Sequence, residues 1–162
     1  MNIITVGIGE LRVSKDECIL ESISLGSCVG VALYDPGTKV CGLAHIMLPS
    51  SASSVRGMSN PTPKFADVAV KKILEDMQKM GAVKSVIVAK IAGGACMFRS
   101  AMADPAMNIG ERNVAAVRQL MRDEKISIIA EDTGRDYGRT IQFSSTTGKL
   151  LIKSAKVGNK EI

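Results

Sequence analysis

The four residues Asp35-Pro36-Gly37-Thr38 constrain this chain more than any others. They separate two apolar runs, VGVALYD (29–35) and KVCGLAHIML (39–48). Pro fixes φ and Gly tolerates a positive one, so the stretch predicts a tight turn. Two apolar runs joined by such a turn predict an antiparallel hairpin. Closing it symmetrically about Pro36-Gly37 sets Asp35 against Thr38 and, further out, Cys28 against His45. A thiol and the chain's one imidazole then share a sheet face with Cβ atoms about 5 Å apart. A one-residue bulge would instead send them to opposite faces.

That juxtaposition has a chemistry. A free thiol ionises near pH ~8.5, and a neighbouring imidazolium stabilises the thiolate and lowers that value. The thiolate attacks an acyl carbon, and the protonated ring returns a proton to a leaving amine. Gly26 and Ser27 leave room for a substrate carbonyl, and the Cys28 N–H is a candidate donor to the developing oxyanion. A third group is expected to orient the ring. Residues 22, 24, 26 and 28 share a strand face by parity, so Ser22 and Ser24 both qualify. Of the other cysteines, Cys41 lies four residues from His45 along the same strand, and Cys18 sits in an alternating run. Cys96, in AGGACMF, is the stronger rival because a Gly-rich loop can expose it.

The rest of the chain surrounds the hairpin with mixed elements. Residues 3–7, 10–14 and 18–25 read as short strands. Residues 49–63, rich in Ser and Pro, read as a long loop. The spacing predicts a helix over 63–80, capped by Thr62, with Pro63 in its first turn and Gly81 at its end. Residues 85–92 read as a buried strand that runs into a Gly-rich connection. Asn108 and Glu111 have capping-box spacing and predict a helix over 109–123. ISIIAED, RTIQFSS and KLLIKSA close the chain as strands. Strands first and mixed elements later predict an α+β fold, as one domain over 1–162.

Composition narrows the function. Hydrophobic residues make up 46% of 162, so the chain is globular, and aromatics at 3% leave the core to Val, Ile, Leu, Ala and Met. The formal charge is +5, but the basic residues are scattered and not interleaved with aromatics, which argues against nucleic-acid binding. The four cysteines have no C-x-x-C spacing, and no His–carboxylate cluster suggests a metal; no cofactor is expected. GIGELR and AGGA fall short of the nucleotide-binding glycine motifs. No apolar run is long enough to span a bilayer, and the N-terminal residues lack a secretory pattern, so a cytoplasmic protein is expected.

The blocks LGSCVGVALYDP, AHIMLP, KFADVAV, AKIAGGACMF, NIGERN and EDTGRDYGR, in that order, resemble the motifs of the CheD family of chemoreceptor glutamine deamidases. The resemblance implies conversion of glutamine side chains of methyl-accepting chemotaxis receptors to glutamate. It places the family's nucleophile on Cys28 and its histidine on His45. The family's third catalytic residue, a threonine, falls on Ser22. Phe65 and Arg135 stand where relatives often carry Tyr and Gly. A CheC-type phosphatase is the implied regulatory partner. Similarity to the catalytic domain of the cytotoxic necrotizing factor toxins implies mixed β-sheets packed as a sandwich with flanking helices. The contrasting reading is a non-enzymatic adaptor that binds receptors and such a phosphatase.

Overall fold

The computed structural model describes residues 1–53, 62–97 and 108–162. Within them lie β1 (Asn2–Thr5), β2 (Leu11–Ser14), β3 (Cys18–Leu25), β4 (Val29–Tyr34), β5 (Cys41–Ile46), α1 (Ala66–Lys79), β6 (Val88–Gly93), α2 (Ile109–Asp123), β7 (Ser127–Thr133), β8 (Arg139–Ser144), β9 (Leu150–Ser154) and β10 (Gly158–Glu161). They form two mixed five-stranded sheets, ordered β1-β3-β8-β9-β10 and β2-β5-β4-β6-β7. The first sheet covers one face of the second, and the two helices cover the other. The α+β sandwich with flanking helices is therefore observed. Among the described residues no helix is long and apolar enough to cross a membrane.

Burial follows the alternation along each strand. In β3, β8 and β9 the inward residues are buried and their neighbours mostly are not. That is the pattern of a sheet with one wet face. β4 and β5 have no wet face, and all their residues are buried. Val29, Val31 and Leu33 point to the helix side, where Ala69, Ile73, Met77, Val114, Val117 and Met121 meet them. Ala32 and Tyr34 point to the other sheet, among Leu20, Ile141, Phe143 and Ile152. Each fully buried Val, Leu or Ile side chain contributes about 2 kcal/mol.

The hairpin forms, but its register differs from the symmetric one. Gly30, not Cys28, faces His45, and Val29 faces Ile46. The closing pair is Asp35 and Val40, joined by a 2.9 Å bond from the Asp35 N–H to the Val40 carbonyl. The reason is the Asp35 carboxylate. Its Oδ1 accepts from the Gly37 and Thr38 amides at 2.9 and 3.2 Å, which folds the chain locally before the strands meet. Four residues, not two, then close the loop, and the positive φ (+66°) falls on Lys39, not on Gly37. The shift is by two residues, an even number, so facing sides are preserved.

Other boundaries also move. α1 begins at Ala66 with Phe65 as its N-cap, and no side chain caps it. Thr62 instead offers its carbonyl to the Phe65 N–H at 3.2 Å. α2 begins where expected, with the Asn108 side chain accepting from the Glu111 N–H at 3.0 Å. Residues 84–86 form a short 3-10 turn ahead of β6. β10 carries no apolar alternation and is not visible in the sequence pattern. The central part of the 49–63 loop and the end of the Gly-rich connection lie outside the described residues.

Candidate active site

Beyond the Val29–Ile46 pair the two strands part. Met47 and Leu48 turn their amides to the Lys64 carbonyl, at 2.8 and 2.9 Å. On the other arm, the Gly26 and Cys28 carbonyls accept from Ala95 and Gly94, at 2.9 and 2.8 Å. Cys28 is the residue just before β4, and His45 is the last but one of β5. Cys28 is therefore one step diagonal from His45, on the same side of the sheet. That side is the interior of the sandwich. A Cβ on Gly30, opposite His45, would run into Ile141 and Leu25 of the facing sheet. Cys28 packs against the same inter-sheet cluster.

Both groups are held towards neutrality. Burial pushes the Cys28 thiol above its ordinary value. Burial also lowers the His45 value, and the nearby Val6 carbonyl opposes this only in part. His45 is 1% exposed, and neither ring nitrogen has a hydrogen-bond partner among the described residues. Burial thus acts on both groups in the direction of the neutral thiol and the neutral imidazole.

The two serine candidates separate. A register irregularity between Ser22 and Leu25 breaks the parity that joined them. Ser24 is exposed at φ +59°, whereas Ser22 is fully buried. The Ser22 hydroxyl donates to the Val6 carbonyl at 2.8 Å, the same carbonyl that influences His45. Of the other cysteines, Cys18 and Cys41 are buried, and burial together with the adjacent Cys18 drives the Cys41 thiol up to about 12. Cys96 is 7% exposed, with its amide on the Arg135 carbonyl.

Gly93 ends β6 at φ +111°, where a Cβ would fall on the Cys28 carbonyl oxygen. Only glycine permits that approach without strain. Gly93→Ala is expected to destabilise the protein by at least about 2 kcal/mol in urea unfolding and to slow turnover of the folded fraction as well.

Arg139, at the start of β8, is buried beneath the same corner. Its Nε donates to Asp132 at 3.0 Å and its Nη1 to the Gly134 carbonyl at 3.0 Å. Burial alone would raise the Asp132 value, but bonds from Arg139 and Lys160 outweigh it and hold the carboxyl below its ordinary range. A carboxyl lowered on folding stabilises the protein above its unfolded value and loses that contribution as pH falls through the folded one. Arg139→Leu removes the buried one of the two cations paired with Asp132, leaving Lys160, and is expected to cost about 3 kcal/mol at neutral pH. Acid-unfolding curves of the variant and wild type should converge as Asp132 becomes protonated.

A groove of about 610 Å3 runs from Ser24, Leu25 and Gly26 past Tyr137 to Lys153 and Lys156. It reaches the arm that carries Cys28 but is not lined by Cys28 or His45. Among the described residues no cluster of three or more His, Cys, Asp or Glu could hold a metal ion. Sequence reasoning missed Arg139, Asp132 and Asn113. For two of them a signal was present. Arg139 falls in the inward phase of RTIQF with Ile141 and Phe143, and Asn113 falls on the apolar face of α2 beside Val114 and Val117.

A family model described as CheD chemotactic sensory transduction matches residues 47–154. A probable chemoreceptor glutamine deamidase CheD of Caldanaerobacter subterraneus subsp. tengcongensis is 48% identical over 160 residues, 99% of this chain and 98% of its own length. The protein of the same description from Archaeoglobus fulgidus is 45% identical over 155 residues, 96% of this chain and 95% of its own. One from Geobacter metallireducens is 42% identical over 160 residues, 99% and 98% of the respective chains.

Proposed function

The chain belongs to the CheD family, and on that premise we propose that it deamidates glutamine side chains of chemoreceptors, with Cys28 as nucleophile and His45 as proton carrier. One observation carries the assignment of residues. A half-buried thiol and a buried imidazole occupy diagonal positions on one face, where the β4–β5 ladder opens. As a substrate carboxamide enters, His45 takes the thiol proton and sulfur bonds to the amide carbon. The oxygen of the tetrahedral adduct is received by the Cys28 N–H, with Gly26 and Ser27 leaving the space. His45 passes its proton to nitrogen, the C–N bond breaks and ammonia leaves. Water then attacks the thioester while His45 removes its proton, sulfur departs as thiol, and glutamate remains. Ser22 acts at one remove, by holding the Val6 carbonyl that lies near the ring.

The reaction is proposed to take place in the cytoplasm. A CheC-type phosphatase is the proposed regulatory partner, on the strength of the family resemblance. The test is mass spectrometry of receptor peptides after incubation with the protein, with an acid quench at early times. Conversion of glutamine to glutamate and an acyl adduct on the peptide containing Cys28 are expected. Receptor binding without conversion would make the protein an adaptor.

A further inference from the structure

Asn113 belongs to the first turns of α2 and is fully buried. Its Nδ2 donates twice, to the Ser27 carbonyl at 2.9 Å and to the Met47 carbonyl at 3.0 Å. Those carbonyls belong to the two arms that separate beyond the β4–β5 ladder. One arm carries Cys28 and the other follows His45 by two residues. Where backbone pairing stops, one side-chain amide bridges the gap. The orientation is dictated by chemistry, because the flipped amide would set Oδ1 against two carbonyl oxygens. Oδ1 has no partner among the described residues, so nothing else holds the group in place. The helix that delivers it is itself fixed. A Cβ on Gly110 would overlap the Ala95 carbonyl, and Ala95 in turn binds Gly26.

We propose that Asn113 is a positioning residue that ties the Ser27 and Met47 arms together and so sets the separation at which Cys28 and His45 work. The proposal rests on the deamidase reading above. A general acid–base pair tolerates little displacement, and the chemistry here makes four proton transfers through His45, from sulfur, to the leaving nitrogen, from water and back to sulfur. Hydrogen bonds to buried carbonyls also cost more to leave unmade than they contribute when made.

Asn113→Leu keeps the branched outline of the side chain and removes both donors without adding charge. With the protein held well below its melting temperature, kcat on a receptor peptide should fall about 100-fold while KM stays within about threefold. Alkylation of Cys28 by iodoacetamide supplies a second readout. In wild type its pH dependence should carry an inflection from His45, which His45→Asn should remove. Asn113→Leu should remove the same inflection. A variant that melts earlier but keeps the wild-type kcat and alkylation profile overturns the proposal. Should Asn113→Leu fail to fold, the wild-type protein decides. Both Nδ2 protons of Asn113 should exchange with solvent as slowly as the amides of Val31 and Leu33, and exchange at the rate of a free side-chain amide overturns the proposal. Absence of deamidation by the wild-type protein would instead overturn the deamidase reading, and deamidation that survives Cys28→Ala would overturn Cys28 as its nucleophile, whatever Asn113→Leu does.

Discussion

Cys28→Ala is expected to lower deamidation of receptor glutamines by at least about 10^4-fold, measured as ammonia release or as glutamate formed. The size follows from the role. Without sulfur there is no thioester, and water alone must attack an unactivated amide. The remaining cysteines cannot substitute. Cys18 and Cys41 lie in the inter-sheet core, and the Cys41 thiol is driven up to about 12. Cys96 lacks a histidine, because the chain has only one. The substitution removes one half-buried atom and should shift stability by no more than about 1 kcal/mol, so lost activity will not be lost protein. Substantial turnover by Cys28→Ala would move the nucleophile elsewhere, with Cys96 the next to test.

His45→Asn is the second large effect, a fall of about 10^3-fold in kcat/KM. Its pH signature separates it from damage to the fold. Burial lowers the ring below the ordinary 6.5, so the working neutral form persists into mildly acidic solution. Activity should be full at neutral pH and decline only as pH falls through this lowered value. The variant should show no such limb. The same shift affects stability. The unfolded chain takes up the proton first, so wild type loses stability between 6.5 and the lower folded value as pH falls, and His45→Asn does not. An acidic limb above 6.5 would mean that the ring is stabilised as a cation and that the resting pair is ionic after all.

The hairpin was legible because apolar runs and a Pro-Gly turn are local signals. Its face was legible too, since an even shift leaves the sides unchanged. Its register was not, because one carboxylate, Asp35, competes with the backbone for the turn amides and lengthens the loop by two residues. The cap of α2 was read correctly from Asn108 and Glu111, three residues apart. The start of α1 was not, because a bridge between Leu48 and Phe65 draws the chain into extended form before the helix begins. Parity left Ser22 and Ser24 equal until the irregularity in β3 parted them. The protonation of the site could not be read from residue types at all. It depends on how deeply a second sheet covers His45, which is a property of the whole sandwich.

β4 serves as a wall common to two separate cores, one against the helices and one against the opposite sheet. The proposed catalytic pair, Cys28 and His45, sits at one end of that wall. Loosening either core disturbs the wall, and the proposed site lies at the wall's edge. Loss of enzymatic function on heating should therefore coincide with cooperative melting, and no inert yet well-ordered species should accumulate below the transition.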